Sequence, residues 1–225
     1  MAILSLETSA KVCSVALHSN GQLITSAEVH VEQSHATRLA PLIDDLIKFS
    51  KIEFRQIQAI AVSSGPGSYT GLRIGVSLAK GLCFALKVPL IAINTLELLA
   101  YQMSKEVDPD VLLCPMIDAR RMEVYSMIVN ADLNSVLPIA PRVIDASSFH
   151  DLLQERKILF FGDGATKCRT VINHINAHFI DGVYPQASKM GELAYLKLKS
   201  GEIEDLESFE PFYLKEFMIK TAKQD

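Results

Sequence analysis

The residues of this chain best suited by type and spacing to do chemistry are concentrated in Ser63-Ser64-Gly65-Pro66-Gly67-Ser68-Tyr69-Thr70-Gly71-Leu72-Arg73. Two glycines flank a proline whose ring fixes its own φ, and Ser68 and Thr70 are both suited to cap a helix. Free amides at such a helix start can hold an anion, and a tight structural turn would carry the same residues. Spacing excludes two nucleotide motifs. A P-loop needs a second glycine followed by lysine, but Thr70 stands at that place and Gly71 precedes Leu72. A dinucleotide fingerprint fits Gly65 and Gly67, yet its third glycine position is Thr70. The acidic residue due about 20 positions later falls in Lys87-Val88-Pro89-Leu90.

Other groupings are weaker. His174 and His178 are four apart, the spacing of two zinc ligands on one helix face, but position 175 is Ile and no third ligand accompanies them. An exposed polar face accounts for the pair. His30 and His35 flank a turn and suit capping or surface roles. Ser9, Ser64 and Ser68 sit at turns without the Gly-x-Ser-x-Gly elbow of a nucleophile. Asp44 and Asp45 are adjacent on a helix and therefore diverge. Arg73 lies in the first turn of a helix, where the dipole disfavours a cation, so a carboxylate or a ligand should compensate it. Arg120-Arg121 forms a second basic spot.

These residues need elements to position them. Ile3–Leu6 reads as a strand ending in Glu7-Thr8-Ser9. Val12–Leu17 is a second strand, Asn20-Gly21 a hairpin signal and Gln22–His30 a third strand. A helix starts at Ser34-His35 with an apolar stripe of Leu39, Leu42, Ile43, Leu46 and Ile47. Ile57–Val62 is a buried strand, and Leu72–Leu86 is a helix apolar on every side, more than one core face absorbs. Either this helix is buried on both sides or one side meets another chain. Leu90–Ile93 is a strand, and Asn94-Thr95 caps a helix to about Lys105. Asp108-Pro109-Asp110 is the best break. Beyond it the pattern predicts strands at Val111–Ile117, Glu123–Val129 and Ile158–Phe161, and helices at 147–156, Ala165–His178 and Ala187–Lys199. The acidic segment Glu202–Glu210 reads as a solvated linker, followed by Pro211-Phe212-Tyr213-Leu214 and a basic tail. A meander followed by alternating helices and strands predicts an α/β layered fold with a mixed sheet, and two such halves fit the length.

Composition sets outer bounds. The chain has 225 residues, 49% of them apolar, and a net charge of −4. That charge argues against a strongly basic nucleic-acid protein and leaves room for a local basic patch. Cys13, Cys83, Cys114 and Cys168 lie far apart in or beside apolar runs, as reduced core thiols do. The opening residues lack the pattern of a signal peptide, and Lys80 and Lys87 interrupt the longest apolar stretch, so a soluble cytoplasmic protein is expected.

Several segments together resemble one family. They are Ile3 to Ser9 with Cys13 to Leu17; Ser34-His35 with Leu39, Pro41 and Leu42; Gly65 to Val76 with Ala79 to Leu82; Asp118-Ala119-Arg120-Arg121-Met122-Glu123-Val124-Tyr125; and Pro211 to Leu214. The match to the TsaB (YeaZ) family covers nearly the whole chain. The resemblance implies an α/β fold of the actin, sugar kinase and Hsp70 (ASKHA) superfamily: two lobes with mixed sheets flanked by helices. The N-terminal lobe would be 1–106 and the C-terminal lobe 107–225, the tail packing back on the first.

The resemblance also implies a role in making threonylcarbamoyladenosine at position 37 of tRNAs that read codons starting with A. In that picture the protein is a non-catalytic scaffold for the paralogous transferase TsaD, which holds the metal, with the ATPase TsaE joining the complex. Pairing would use the two N-terminal helices through His35, Leu39, Leu46, Arg73, Ile74, Leu78 and Gly81, with Gly71 and Gly75 also allowing close helix approach. The same surface would serve a homodimer when the partner is absent, and tRNA would be met through the complex. The paralogue's His-x-x-x-His metal pair corresponds here to Thr95 and Leu99, neither a substitute for imidazole. The superfamily's first-turn Asp is Glu7 here. So Glu7, Thr8, Ser9, Gly65, Gly67 and Ser68 would form a degenerate nucleotide or anion site with weak or no ATP-magnesium binding, and no catalytic or metal residue is expected. The alternative is a stand-alone nucleotide-dependent enzyme or metallohydrolase of the superfamily.

Overall fold

The computed structural model describes residues 1–30 and 35–213. Ser34, the side chain of His35, Leu214 and the basic tail lie outside the described residues.

The first sheet is built from β1 (Ala2–Glu7), β2 (Cys13–Ser19), β3 (Gln22–Val29), β4 (Ile57–Gly65) and β5 (Leu90–Asn94), in the order β3-β2-β1-β4-β5. β1, β2 and β3 form the antiparallel meander, and β1–β4 and β4–β5 are parallel. Successive side chains of a strand point to opposite faces, and here both faces are covered. Leu4, Leu6, Ile60 and Val62 face helices α1 (His35–Ser50) and α2 (Tyr69–Leu86). Ile3, Ala59, Ala61, Ile91 and Ile93 face the opposite way, against Leu98, Met190 and Ala194.

Helix α3 (Thr95–Ser104) starts where expected, Asn94 Oδ1 accepting from Leu96 N at 2.9 Å and Glu97 N at 3.3 Å. It packs between the sheets. Leu98 joins the first core, while Leu96, Leu99 and Ala100 pack with Leu113, Ile117, Met127 and Phe161 of the second. That second sheet has the order β10-β9-β6-β7-β8, from β6 (Leu112–Asp118), β7 (Glu123–Val129), β8 (Ser135–Val143), β9 (Ile158–Phe161) and β10 (Ala177–Ile180). Its far face carries α4 (His150–Glu155) and α5 (Ala165–Cys168). All four cysteines are buried and free.

Four expectations are corrected. The helix over 165–178 is only the four-residue α5; β-branched Thr170, Val171 and Ile172 follow it, and the chain then adds β10 in parallel to the open edge of β9. His174 and His178 are therefore not on one helix: His174 accepts from Asn176 N at 3.1 Å in a turn, and His178 is exposed on β10. β8 is a strand absent from the sequence reading. Its Pro138 and Pro141 cannot donate to a ladder, which suits the sheet edge it occupies.

The last correction concerns 202–213. This is a strap against the first sheet, not a solvated linker. Glu204 N donates to Leu90 O at 2.9 Å, and Leu206 and Phe209 pack on the core under α2. It follows α6 (Gly191–Ser200), which returns from the second sheet to cover the first. His18 fastens that return. Its buried ring lies against Gly191, Nε2 donates to Ser188 O and Nδ1 accepts from Ser5 Oγ, both at 3.2 Å. Burial pushes the His18 pKa down.

Candidate functional site

The six residues of the expected nucleotide or anion site do come together, but as a closed turn. Ser68 caps α2, accepting from Gly71 N at 3.2 Å, and its own N–H donates to Ser9 O at 2.7 Å. The carbonyl oxygens of Ser9 and Thr8 occupy the space where β-carbons on Gly67 and Gly71 would lie, and the Thr8 hydroxyl does so at Gly75. A helix start that could face an anion instead faces carbonyl oxygens of its own chain. Gly65, at φ +108°, is closed by the strap, Phe212 N donating to Ser64 O at 2.7 Å. Gly71 and Gly75 therefore serve contact within the chain, not approach of a partner helix.

Glu7 is 0% exposed. Its Oε1 accepts from Ser9 N and Ser9 Oγ, each at 2.6 Å, while Oε2 has no hydrogen-bond partner among the described residues. Desolvation raises its pKa to about 7 despite those bonds. Only Oε1 is tied into the turn, through Ser9, and the whole carboxyl is shut from solvent. At the expected metal positions, Thr95 and Leu99 are both fully buried, Leu99 within the core around Phe161.

The outward surface of α1 and α2 is the second candidate. Both helices lead into parallel strands of one sheet and contact each other on its face, so they run in the same direction. Phe49 near the end of α1 and Phe84 near the end of α2 are each 82% exposed. On α2 the buried stripe is Gly71, Leu72, Gly75, Val76, Ala79 and Cys83. Ile74 and Leu78 are half-buried on its flank, and Gly81 is exposed with nothing within 4 Å of where its β-carbon would be. Leu39 and Leu46 do not belong to this surface. They are 1% and 2% exposed, on the α1 stripe that faces β2 and the core, so they support the helix from beneath.

Arg73 is exposed, and where a carboxylate or a ligand is expected two tyrosines lead its compensation, with Glu210 in its field. Its guanidinium lies 4.2 Å from the Tyr69 ring centroid, and Nε donates to Tyr213 Oη at 3.3 Å. Lys80, in mid-helix, donates to Phe209 O at 3.1 Å and Glu207 O at 3.4 Å of the strap. Phe49 does not stand out in the sequence, and Lys80 is read there only as a break in the longest apolar stretch, with no partner assigned. The strap leaves a groove of about 700 Å³ against Ser64 and Ala92, with Glu204 and Glu210 in its lining.

Two facing α/β sheets with this strand order define a protein of the actin, sugar kinase and Hsp70 fold. An activator of 2-hydroxyisocaproyl-CoA dehydratase from Clostridium difficile shares it at a TM-score of 0.54 and 10% identity, covering 90% of this chain and 97% of that one. A Pseudomonas aeruginosa protein with similarity to peptidase YeaZ matches at a TM-score of 0.84 and 27% identity, covering 95% of this chain and 99% of that one. The family model described as TsaD, tRNA N6-adenosine threonylcarbamoyltransferase, matches residues 28–222. The tRNA threonylcarbamoyladenosine biosynthesis protein TsaB of Bacillus subtilis (strain 168) is 31% identical over 222 residues, covering 96% of this chain and 94% of that protein. The chain belongs to the TsaB (YeaZ) family. No helix among the described residues is long and apolar enough to cross a membrane.

Proposed function

We propose that this protein works in tRNA threonylcarbamoyladenosine biosynthesis as a non-catalytic subunit that docks a TsaD-type transferase through the outward face of α1 and α2. The observation that carries this reading is that Phe49 near the C-terminus of α1 and Phe84 near that of α2 are both strongly exposed, with the open backbone of Gly81 three residues before Phe84. Large exposed aromatics and an exposed small residue suit close packing of a partner helix. Thr95 and Leu99 in place of the paralogue's histidines, and the inward-turned Glu7, favour a supporting role over catalysis. In this reading ATP and metal are handled by the transferase and a TsaE-type ATPase, the chain pairs with itself when alone, and tRNA is met in the assembled complex.

Co-purification with a TsaD-type transferase tests the reading. Ile74→Glu, Leu78→Glu and Phe84→Glu should each abolish the complex; the isolated chain should keep its thermal transition in Phe84→Glu, whose side chain is exposed, and melt lower in the other two, whose side chains pack on the core. Retention of the complex by the first two variants would overturn the interface. Calorimetry with ATP and magnesium addresses the enzymatic alternative: tight binding by the isolated chain would overturn the non-catalytic assignment.

A further inference from the structure

The turn between β6 and β7 carries Arg120-Arg121, which the docking surface does not use. Both residues have positive φ, 70° and 49°. Consecutive left-handed residues are ordinarily Asn-Gly or Gly-Gly, because a β-carbon strains this backbone. The turn is pinned in that shape. Arg120 N donates to Asp118 Oδ1 at 3.0 Å, Ala119 N to Glu123 O at 3.1 Å, and Glu123 N to Arg120 O at 3.1 Å. Asp118 N in turn donates to Asp163 Oδ1 at 2.9 Å. The turn therefore needs residues that tolerate positive φ, and two arginines are a costly choice for that purpose alone.

The charges around it explain what the choice leaves exposed. Lys167 pairs with Asp118 and donates to Glu123 O at 2.6 Å. Asp163 lies in the field of Lys167 and of Lys11 from the β1–β2 turn. The acids at this end are thus Asp118, Asp163 and Glu123, set against Lys11, Lys167, Arg120 and Arg121. The two arginines are exposed and form no ion pair with another described residue. Each presents a planar fork of donors that fits two phosphate oxygens.

We propose that Arg120 and Arg121 contact phosphates of a structured RNA backbone, that of the tRNA on which the assembled complex acts; the identity of this RNA rests on the functional reading above. The turn belongs to the second sheet, whereas α1 and α2 lie on the first. The acidic composition of the whole chain fits a contact of a few phosphates, not a broad basic surface.

The decisive variant is Arg120→Gly/Arg121→Gly, which removes both guanidiniums and keeps positive φ without strain. Its melting temperature should equal or exceed that of the parent. In complex with the transferase, its affinity for unmodified tRNA should fall about tenfold near 0.1 M salt, and the slope of log K against log salt should become shallower by about 1–2. Arg120→Lys/Arg121→Lys should retain the slope. Unchanged affinity and slope in the glycine variant would overturn the proposal. Loss of assembly with the transferase, with tRNA affinity of the isolated chain unchanged, would also overturn it and assign the arginines to an acidic protein surface. Should the parent chain not assemble with the transferase, the docking reading fails; the same titration on the isolated chain then decides the arginines by the same difference in slope.

Discussion

The hydroxyl of Thr8 occupies the place that a β-carbon on Gly75 would need. This relationship ties the β1–β2 turn to the first half of α2 and leaves the Thr8 Oγ1 without a hydrogen-bond partner among the described residues. It also makes the glycine run a packing seam. The backbone of α2 comes so close to the turn that only hydrogen fits at Gly67, Gly71 and Gly75.

The three-dimensional role of each glycine predicts opposite effects for one substitution. Gly75→Ala should destabilise the protein by about 1–3 kcal/mol, because the added methyl must displace Thr8 in a packed interior. Gly81→Ala, in open space within the same helix, should stabilise it by about 0.5–1 kcal/mol through lower entropy of the unfolded chain. Thermal or urea unfolding of both variants checks this, and equal effects would contradict the seam.

Glu7 predicts a pH dependence of stability. Its folded pKa of about 7 lies above the ordinary value of 4.5. Between those values the folded state holds a proton that the unfolded state has released, so stability from this group falls as pH rises through that window and levels off above it. The full span is on the order of 3 kcal/mol. His18, held neutral, acts with the opposite sign: its contribution is present above its ordinary pKa and is lost as pH falls below it. Glu7→Gln keeps the acceptor for Ser9 and isolates the first effect. The difference in unfolding free energy between Glu7→Gln and the parent should grow in favour of the variant from pH 5 to pH 7.5.

Lys80 predicts that the strap can be loosened separately. Lys80→Met keeps the apolar stem and removes the donor to Glu207 O and Phe209 O. A loss of about 1 kcal/mol is expected, since the ammonium is partly solvated. Amide exchange should accelerate at Glu204 and Phe212, whose N–H groups bond Leu90 O and Ser64 O. Protection at β1 and β4 should stay unchanged.

Phe49 and Phe84 predict self-association. Phe49→Ser/Phe84→Ser should change the stability of the monomer by less than about 0.5 kcal/mol per site, because both side chains are exposed. Sedimentation velocity should show the parent associating with concentration and the double variant remaining monomeric. Association unchanged in the variant would move the self-contact elsewhere.

Most of the first sheet was legible in the sequence because its signals are local. The apolar runs of β1 and β4, Asn20-Gly21, the stripe of α1 and the Asn94 cap each lie within a few residues. Local signals also placed the turns that hold Glu7, Ser68 and Arg120-Arg121. The second half was harder for a stated reason: β10 forms only because β9 offers an open edge, and β8 survives its prolines only because it lies at the other.

The sequence by itself determined which residues sit at turns, which helices are amphipathic and which nucleotide and metal motifs are excluded by spacing. Only the tertiary structure decided that Leu39 and Leu46 point inward, that Gly71 and Gly75 are filled by Thr8, that Tyr213 meets Arg73, and that Glu7 is shut from solvent. Each of these depends on contact between segments remote in the chain or on which face of an element is covered. Periodicity gives the direction of a side chain relative to its neighbours, whereas packing sets what stands opposite it.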